Sequence, residues 1–345
     1  MANLKPRPDV SVLMSVYNGE KFVTQAVESI QSQSFTDWEL ILVDDCSDDG
    51  TPAVLETLSV GDNRIRLVHN SQRQGLTRSL NGAIGLAIGK YLARLDADDM
   101  AVRDRFECQL ALLEAEPELG VLGGFTELVD GSGKRILVSG APLGDREIKD
   151  ELLIKNFAFG HSTVMMRADV IRAVGGYNPE HYYSQDYGLW CALAERTQFG
   201  NLPRVLCTGR HTAGRISVLH RADQLACQLE ISWSMIGRRI GSGAFERNCY
   251  ERFWRAFHGI GCPAPEELRR LEPLWAYLEK RSTPMTRTIG GIENLAYRLL
   301  QDGKFRQGAL MTGIVKRLLG RYSLYRVLIS SLNSFLPRAS GDNDR

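Results

Sequence analysis

Apolar residues in the first hundred positions follow two alternating rhythms. The short runs Val10–Ser15, Glu39–Val43, Ile65–Val68 and Tyr91–Leu95 have the length of strands. Between them, apolar positions recur at helical spacing: Phe22, Ala26 and Ile30; then Thr51–Leu58; then Leu80, Ile84 and Ala87 within Leu76–Ile88. Strands alternating with helices predict a parallel, doubly wound α/β sheet, because each parallel neighbour has to be reached by a crossover.

The alternation stops at Val121. From there to Pro142 an apolar run meets Asp130-Gly131-Ser132-Gly133, the residue types of a turn between two strands. The pattern then predicts a helix near Arg146–Ile154, a strand over Ser162–Met166, a short helix ending at Gly175-Gly176 and a helix over Asp186–Glu195. After Ser217–Arg221 everything is helical in period. Breaks at Gly241–Gly243, Gly261–Pro265 and Thr283-Pro284 predict four or five helices there. The expected division is residues 1–220, α/β, and residues 221–345, helical.

Composition narrows the field. A chain of 345 residues, 43% of them apolar, can bury a full core, and at roughly 150 residues per domain it suits one large domain with an appendage. A net charge of +1 supplies no basic field, which argues against nucleic acid as a partner. The cysteines (Cys46, Cys108, Cys191, Cys207, Cys227, Cys249, Cys262) are odd in number and never in C-x-x-C spacing, as expected of reduced thiols. Val10–Val16 is broken by two serines and makes a poor secretory signal. No apolar run reaches the ~18 residues that span a bilayer, so a cytoplasmic protein is expected. One local excess qualifies this: Arg287 to Arg338 holds nine Lys or Arg against Glu293 and Asp302. These are interleaved with Ile314, Leu318, Leu319, Tyr322, Tyr325, Leu328 and Ile329. Such a tail reads either as an amphipathic helix closing a core or as a surface docking on anionic lipid at the inner face of the cell membrane.

Ligands of parallel α/β sheets bind beyond the carboxyl ends of the strands. Ser15-Val16-Tyr17-Asn18, Asp44-Asp45-Cys46-Ser47 and Asp96-Ala97-Asp98-Asp99 all follow strands. A tight carboxylate triplet repels itself unless compensated, and Mg2+ or Mn2+ shared with substrate phosphates is one resolution. Capping of a helix Val102–Glu114 accounts for one aspartate, not three.

Taken together, Ser-Val-Tyr-Asn, Val-Asp-Asp-Cys-Ser-Asp-Asp-Gly-Thr and Leu-Asp-Ala-Asp-Asp resemble the family 2 glycosyltransferase pattern in order and spacing, over roughly Asp9 to Ser217. The segment Gly75 to Asn81 is similar to a helix of that family. The resemblance implies a GT-A fold, a nucleotide-sugar donor, a divalent metal and an inverting mechanism. It implies that Ser15, Tyr17, Asn18 and Arg78 lie on the donor side, with Tyr17 against the base and Asp45 accepting an imide N–H of uracil or thymine. Asp98 and Asp99 would meet the ribose and the metal-bound diphosphate, Asp96 being the first acid of the D-x-D pattern. Ser184-Gln185-Asp186-Tyr187-Gly188-Leu189-Trp190 looks like the family's Glu-Asp-x-x-Leu-Trp segment, with Gln185 replacing the glutamate, and it makes Asp186 the candidate general base. Gly160-His161-Ser162-Thr163 and Arg210-His211 resemble segments lining the acceptor side and the diphosphate. His161 and His211 also suit structural hydrogen bonding, Arg210 an ordinary ion pair, and Trp190 the core.

Gln-x-x-Arg-Trp, which marks polymer-building relatives, does not follow Asp186, so transfer of a single sugar is expected. The acceptor expected from the resemblance is a bacterial surface polysaccharide or lipid-linked glycan. The rival readings are a non-catalytic nucleotide-sugar scaffold and a nucleotidyltransferase; the latter needs a glycine-rich, basic loop after the first strand, where this chain has Asn18-Gly19-Glu20-Lys21.

Overall fold

The computed structural model describes residues 7–210, 220–281 and 287–319. The chain forms two compact units, Met1–Ile236 and Gly237–Arg345.

In the first unit the βα alternation is present as read. β1 (Val10–Val16), α1 (Val23–Gln31), β2 (Trp38–Asp44), α2 (Thr51–Gly61), β3 (Ile65–His69), α3 (Leu76–Leu86) and β4 (Tyr91–Arg94) follow in order. β1 lies between β2 and β4, parallel to both, with Val10 level with Trp38 and Tyr91. β3 joins β2 in parallel. The near-continuous apolar strands are what burial on both faces requires, and α1 turns Val23, Ala26, Val27 and Ile30 into the same core.

The second half of the sheet is mixed. After β5 (Met100–Ala101) and α4 (Arg105–Ala115), β6 (Leu119–Val129) and β7 (Arg135–Ser139) form the hairpin expected around Asp130–Gly133. Then come α5 (Asp145–Glu151), β8 (Met165–Arg167), α6 (Ala168–Ala173), α7 (Gln185–Leu193) and β9 (Gln198–Arg210). β8 is antiparallel to both β4 and β6, and β9 runs parallel to β6, giving the order β3-β2-β1-β4-β8-β6-β9-β5 with β7 on β6. One reading is corrected here, and one strand went unread. Ser162 and Thr163 lie in a 3-10 turn, His161–Thr163, and the strand begins at Met165. β9 has no counterpart in the sequence pattern, because Gly200, Pro203 and Arg204 break its alternation and its pairing with β6 carries register shifts.

α8 (Arg221–Ile240) starts where the helical region was expected and runs across the boundary between the two units. The second unit continues with α9 (Arg247–Phe257), α10 (Pro265–Arg270), α11 (Glu272–Arg281), α12 (Arg287–Gln301) and α13 (Phe305–Leu319). That makes six helices from Arg221 among the described residues, against four or five expected. The extra breaks fall at Leu271 and at Gly303, whose φ of 74° a glycine adopts without strain. Phe253 meets Trp275 edge to face at 5.0 Å, and the Trp275 indole donates to the Leu268 carbonyl at 2.8 Å. Ile314 is buried, whereas the side chains of Leu318 and Leu319 and residues 320–345 lie outside the described residues. No helix among the described residues is long and apolar enough to cross a membrane.

Candidate active site

The ends of β1 and β2 build one wall. Asn18 and Cys46 sit just past those strands in the left-handed region, at φ 52° and 62°. Asn tolerates that conformation when its side chain is held. The Asn18 amide donates to Asp48 Oδ1 at 2.7 Å and accepts from the Asp48 N–H at 3.1 Å, while its own N–H donates to Ser47 Oγ at 3.0 Å. Ser15 is half-buried on β1, level with Val43. Tyr17 is 38% exposed, and the Arg73 guanidinium stacks 3.7 Å above its ring. Arg78 is exposed on the first turn of α3.

Asp45 is held by donors of the protein itself. Its carboxylate is 2% exposed and accepts from the Asn70 amide (2.8 Å), the Gln74 N–H (2.8 Å), the Gly75 N–H (2.8 Å) and Ser79 Oγ (3.0 Å). Three of these donors meet Oδ1 and one, the Gly75 N–H, meets Oδ2. Asp45 thereby fastens the segment 70–75 to the sheet. Gly75, at φ 84°, has the Tyr182 ring 2.9 Å from where a Cβ would stand. Beside Asp45, Asp44 accepts from His69 Nδ1 at 3.1 Å, and His69 Nε2 meets Glu56 at 3.1 Å. Chiefly through the Asp44 hydrogen bond, these carboxylates hold the imidazole above its usual pKa.

The acids after β4 are differentiated. Asp96 is paired with the fully buried Arg94 and accepts from Ser162 Oγ at 2.8 Å. Its charge is thereby met within the protein. Asp98 is half-buried and Asp99 is 5% exposed. α4 begins at Arg105 with Asp104 at its N-cap position, so the triplet does not cap that helix. Among the described residues no group of three or more His, Cys, Asp or Glu is arranged to hold a metal alone. Two oxygen-donor carboxylates fit a hard divalent cation that takes its remaining ligands from a diphosphate and water.

Asp186 lies in the first turn of α7, half-buried. Its Oδ2 accepts from the Asn156 amide at 2.9 Å and its Oδ1 from the Tyr187 N–H at 2.8 Å. Asp96 and Asp186 both act on His161 electrostatically, and its Nε2 meets the Tyr177 hydroxyl at 2.9 Å. Burial first, and then the Arg94 charge, push its pKa down to about 4, so the ring is neutral near pH 7. Burial also drives the Tyr177 phenol well up. The Tyr177 backbone is clamped by Asn81, which donates to its carbonyl at 2.7 Å and accepts its N–H at 2.8 Å.

Arg210 ends β9 against α1. Its guanidinium bonds the Gln25 side chain and reaches the Met100 sulfur at 3.5 Å, one residue from Asp99, while its buried Nε has no partner. His211 lies outside the described residues. Trp190 is fully buried against Phe159, as a core residue. The sequence reading missed Arg94, Asn156 and Tyr177. Only Arg94 left a signal, a lone charge inside the apolar run Tyr91–Leu95.

A family model described as glycosyl transferase family 2 matches residues 11–175. The amylovoran biosynthesis glycosyltransferase AmsE of Erwinia amylovora is 31% identical over 199 residues, covering 57% of this chain and 74% of that protein. WfgD of Escherichia coli, a UDP-Glc:alpha-D-GlcNAc-diphosphoundecaprenol beta-1,3-glucosyltransferase, is 24% identical over 228 residues, 66% of this chain and 85% of that one. Among solved structures, the mannosyltransferase PcManGT from Pyrobaculum calidifontis, in complex with GDP-Man and Mn2+, matches with a TM-score of 0.52 at 16% identity, over 92% of this chain and 89% of that chain.

Proposed function

This chain belongs to glycosyl transferase family 2 and is a glycosyltransferase of GT-A fold, and from that premise we propose that it moves one sugar, with inversion, from a nucleoside diphosphate sugar to a glycan hydroxyl. The observation that carries this reading is the turn His161–Thr163, which links two acidic centres: Ser162 Oγ bonds Asp96 at 2.8 Å, and His161 packs on Trp190, one turn of α7 beyond Asp186, with ring centroids 6.2 Å apart. One centre suits a leaving diphosphate, the other a proton.

The donor base lies on Tyr17, within the frame of residues 70–75 that Asp45 holds. Asp98 and Asp99, with the diphosphate, would hold a divalent cation, Mg2+ or Mn2+, which would supply countercharge for the departing nucleoside diphosphate. Asp186 takes the acceptor hydroxyl proton as the new C1–O bond forms and the C1–O bond to phosphate breaks, its electron pair leaving with the diphosphate. Arg210 lies on the Asp99 side, where its charge favours phosphate. UDP or TDP is the favoured carrier, since UDP-Glc is the named donor of the WfgD relative. That relative's name also supports a lipid diphosphate-linked glycan as acceptor, in bacterial polysaccharide assembly, with residues 1–220 binding the donor and catalysing. The basic segment from Arg287 would suit such an acceptor at a membrane surface.

The test is calorimetric titration of UDP, TDP, GDP and CMP with and without Mn2+. Metal-dependent UDP or TDP binding is expected. Preference for GDP would overturn the pyrimidine assignment alone, and failure of every nucleotide to bind would overturn the donor site.

A further inference from the structure

Tyr17 and Arg73 meet from two ends of one clamp. The Asp45 N–H donates to the Val16 carbonyl at 2.8 Å, one residue before Tyr17, while the Asp45 carboxylate holds the N–H groups of Gln74 and Gly75 at 2.8 Å each. Asn18, locked to Asp48, fixes the other flank of Tyr17. The chain beside each residue is thus pinned, and the exposed side chain of Arg73 is the part left to move.

That side chain lies where a ligand is expected. Its guanidinium stands 3.7 Å from the centre of the Tyr17 ring, a stacked separation that admits nothing flat between them. The covered face is the one turned to residues 70–75, the frame in which the donor base is placed. Two planar groups therefore compete for one surface. No carboxylate among the described residues forms an ion pair with Arg73, so its charge stays available. A bare nucleoside has to displace the stacked cation without compensation. A nucleoside diphosphate gives it a new partner, since a guanidinium matches phosphate oxygens two at a time.

We propose that Arg73 is a specificity-determining residue of the donor site: in the free protein it occupies the base's place on Tyr17, and the base enters by exchange, the released guanidinium closing on the phosphates of the same ligand. The site then discriminates against a nucleoside and in favour of its diphosphate. The inference rests on the donor base lying on Tyr17.

The test titrates uridine, UDP, guanosine and GDP, with Mn2+ throughout, into the full wild-type chain, Arg73→Ala, Arg73→Lys and Tyr17→Ala. Ligand-detected NMR reads the nucleosides and calorimetry the diphosphates. For the base that the wild type prefers, Arg73→Ala should move the two ligands in opposite directions: the nucleoside about threefold tighter, because the stacked cation no longer competes, and the diphosphate about fivefold weaker. Arg73→Lys keeps the charge and should hold the diphosphate within about twofold of wild type. A residue that merely supports the wall would weaken both ligands together. Nucleoside affinity unchanged or weakened in Arg73→Ala, or a diphosphate loss that is absent there or as large in Arg73→Lys, would overturn the exchange. Tyr17→Ala separates the inference from its premise. If that variant weakens neither ligand, or the wild type binds none, the placement of the base fails and the exchange with it. Weakening by Tyr17→Ala without the opposed shifts in Arg73→Ala removes the exchange alone.

Discussion

The two sides of the crevice are built on opposite plans. On the donor side the polar groups satisfy one another: Asp45 carries four donors, and Asn18 is locked to Asp48 in both directions. Thr77 Oγ1 and, toward Asp96 and Asp99, Arg94 Nε and Arg210 Nε are buried without a partner and are the exceptions. Around Asp186 the situation is reversed, with Asn156 Oδ1, His181 Nδ1 and Trp190 Nε1 all buried and unmatched. A closed network holds its shape before any ligand arrives, while unspent hydrogen-bonding capacity is completed by one. The proposed donor wall is thus largely closed on itself, and the Asp186 side keeps unspent hydrogen-bonding capacity.

The sharpest way to break this comparison is Asp186→Asn. Transfer should fall about 10²–10⁴-fold, the usual worth of a general base, with nucleotide affinity unchanged. Sugar transfer measured beside calorimetry reads both, and undiminished transfer would remove Asp186 from the mechanism. Asp45→Ala is next in size. Four donors lose their acceptor, so unfolding free energy should drop by about 3 kcal/mol and nucleotide affinity should fall with it. A denaturant melt unchanged from wild type would contradict the frame role.

Two smaller effects separate the sides by pH. His161 has its folded pKa pushed down to about 4 from 6.5, so the unfolded chain protonates first. Its contribution to stability is complete above about pH 6.5 and shrinks as pH falls from there toward about 4. Urea melts at pH 7.5 and 5 should show the loss, and His161→Gln should flatten it. His69 has the opposite sign. Its folded pKa is raised, so its clamp between Asp44 and Glu56 is fully present below pH 6.5 and fades as pH rises through the folded pKa. The effect is slight, because the imidazole is 40% exposed and solvent screens it. His69→Gln should abolish it in melts at pH 6 and 8.5.

The same contrast explains what the sequence could be made to say. β1, β2 and β4 each end in their own polar cluster, so parallel topology alone brings Tyr17, Asp45 and Asp98 to one edge. The Asp186 side depends on partners brought in by tertiary packing. Asn156 meets Asp186 across thirty positions, and Asn81 holds Tyr177 across ninety-six. No local period encodes such pairs. β9 escaped notice for a related reason, since a strand with Pro203 and register shifts lacks the alternation that marks a half-buried strand. Nor does a local period show that Asn70, Gln74, Gly75 and Ser79 converge on Asp45.

The division between a donor frame and a substrate-completed side is tested most directly by titrating the preferred nucleoside diphosphate with Mn2+ into the wild-type chain, Asp99→Asn and Asp186→Asn. Asp99→Asn should weaken metal-dependent binding at least about tenfold, and Asp186→Asn should leave it within about twofold while transfer is lost. Equal weakening in both variants, or undiminished metal-dependent binding in Asp99→Asn, would contradict it.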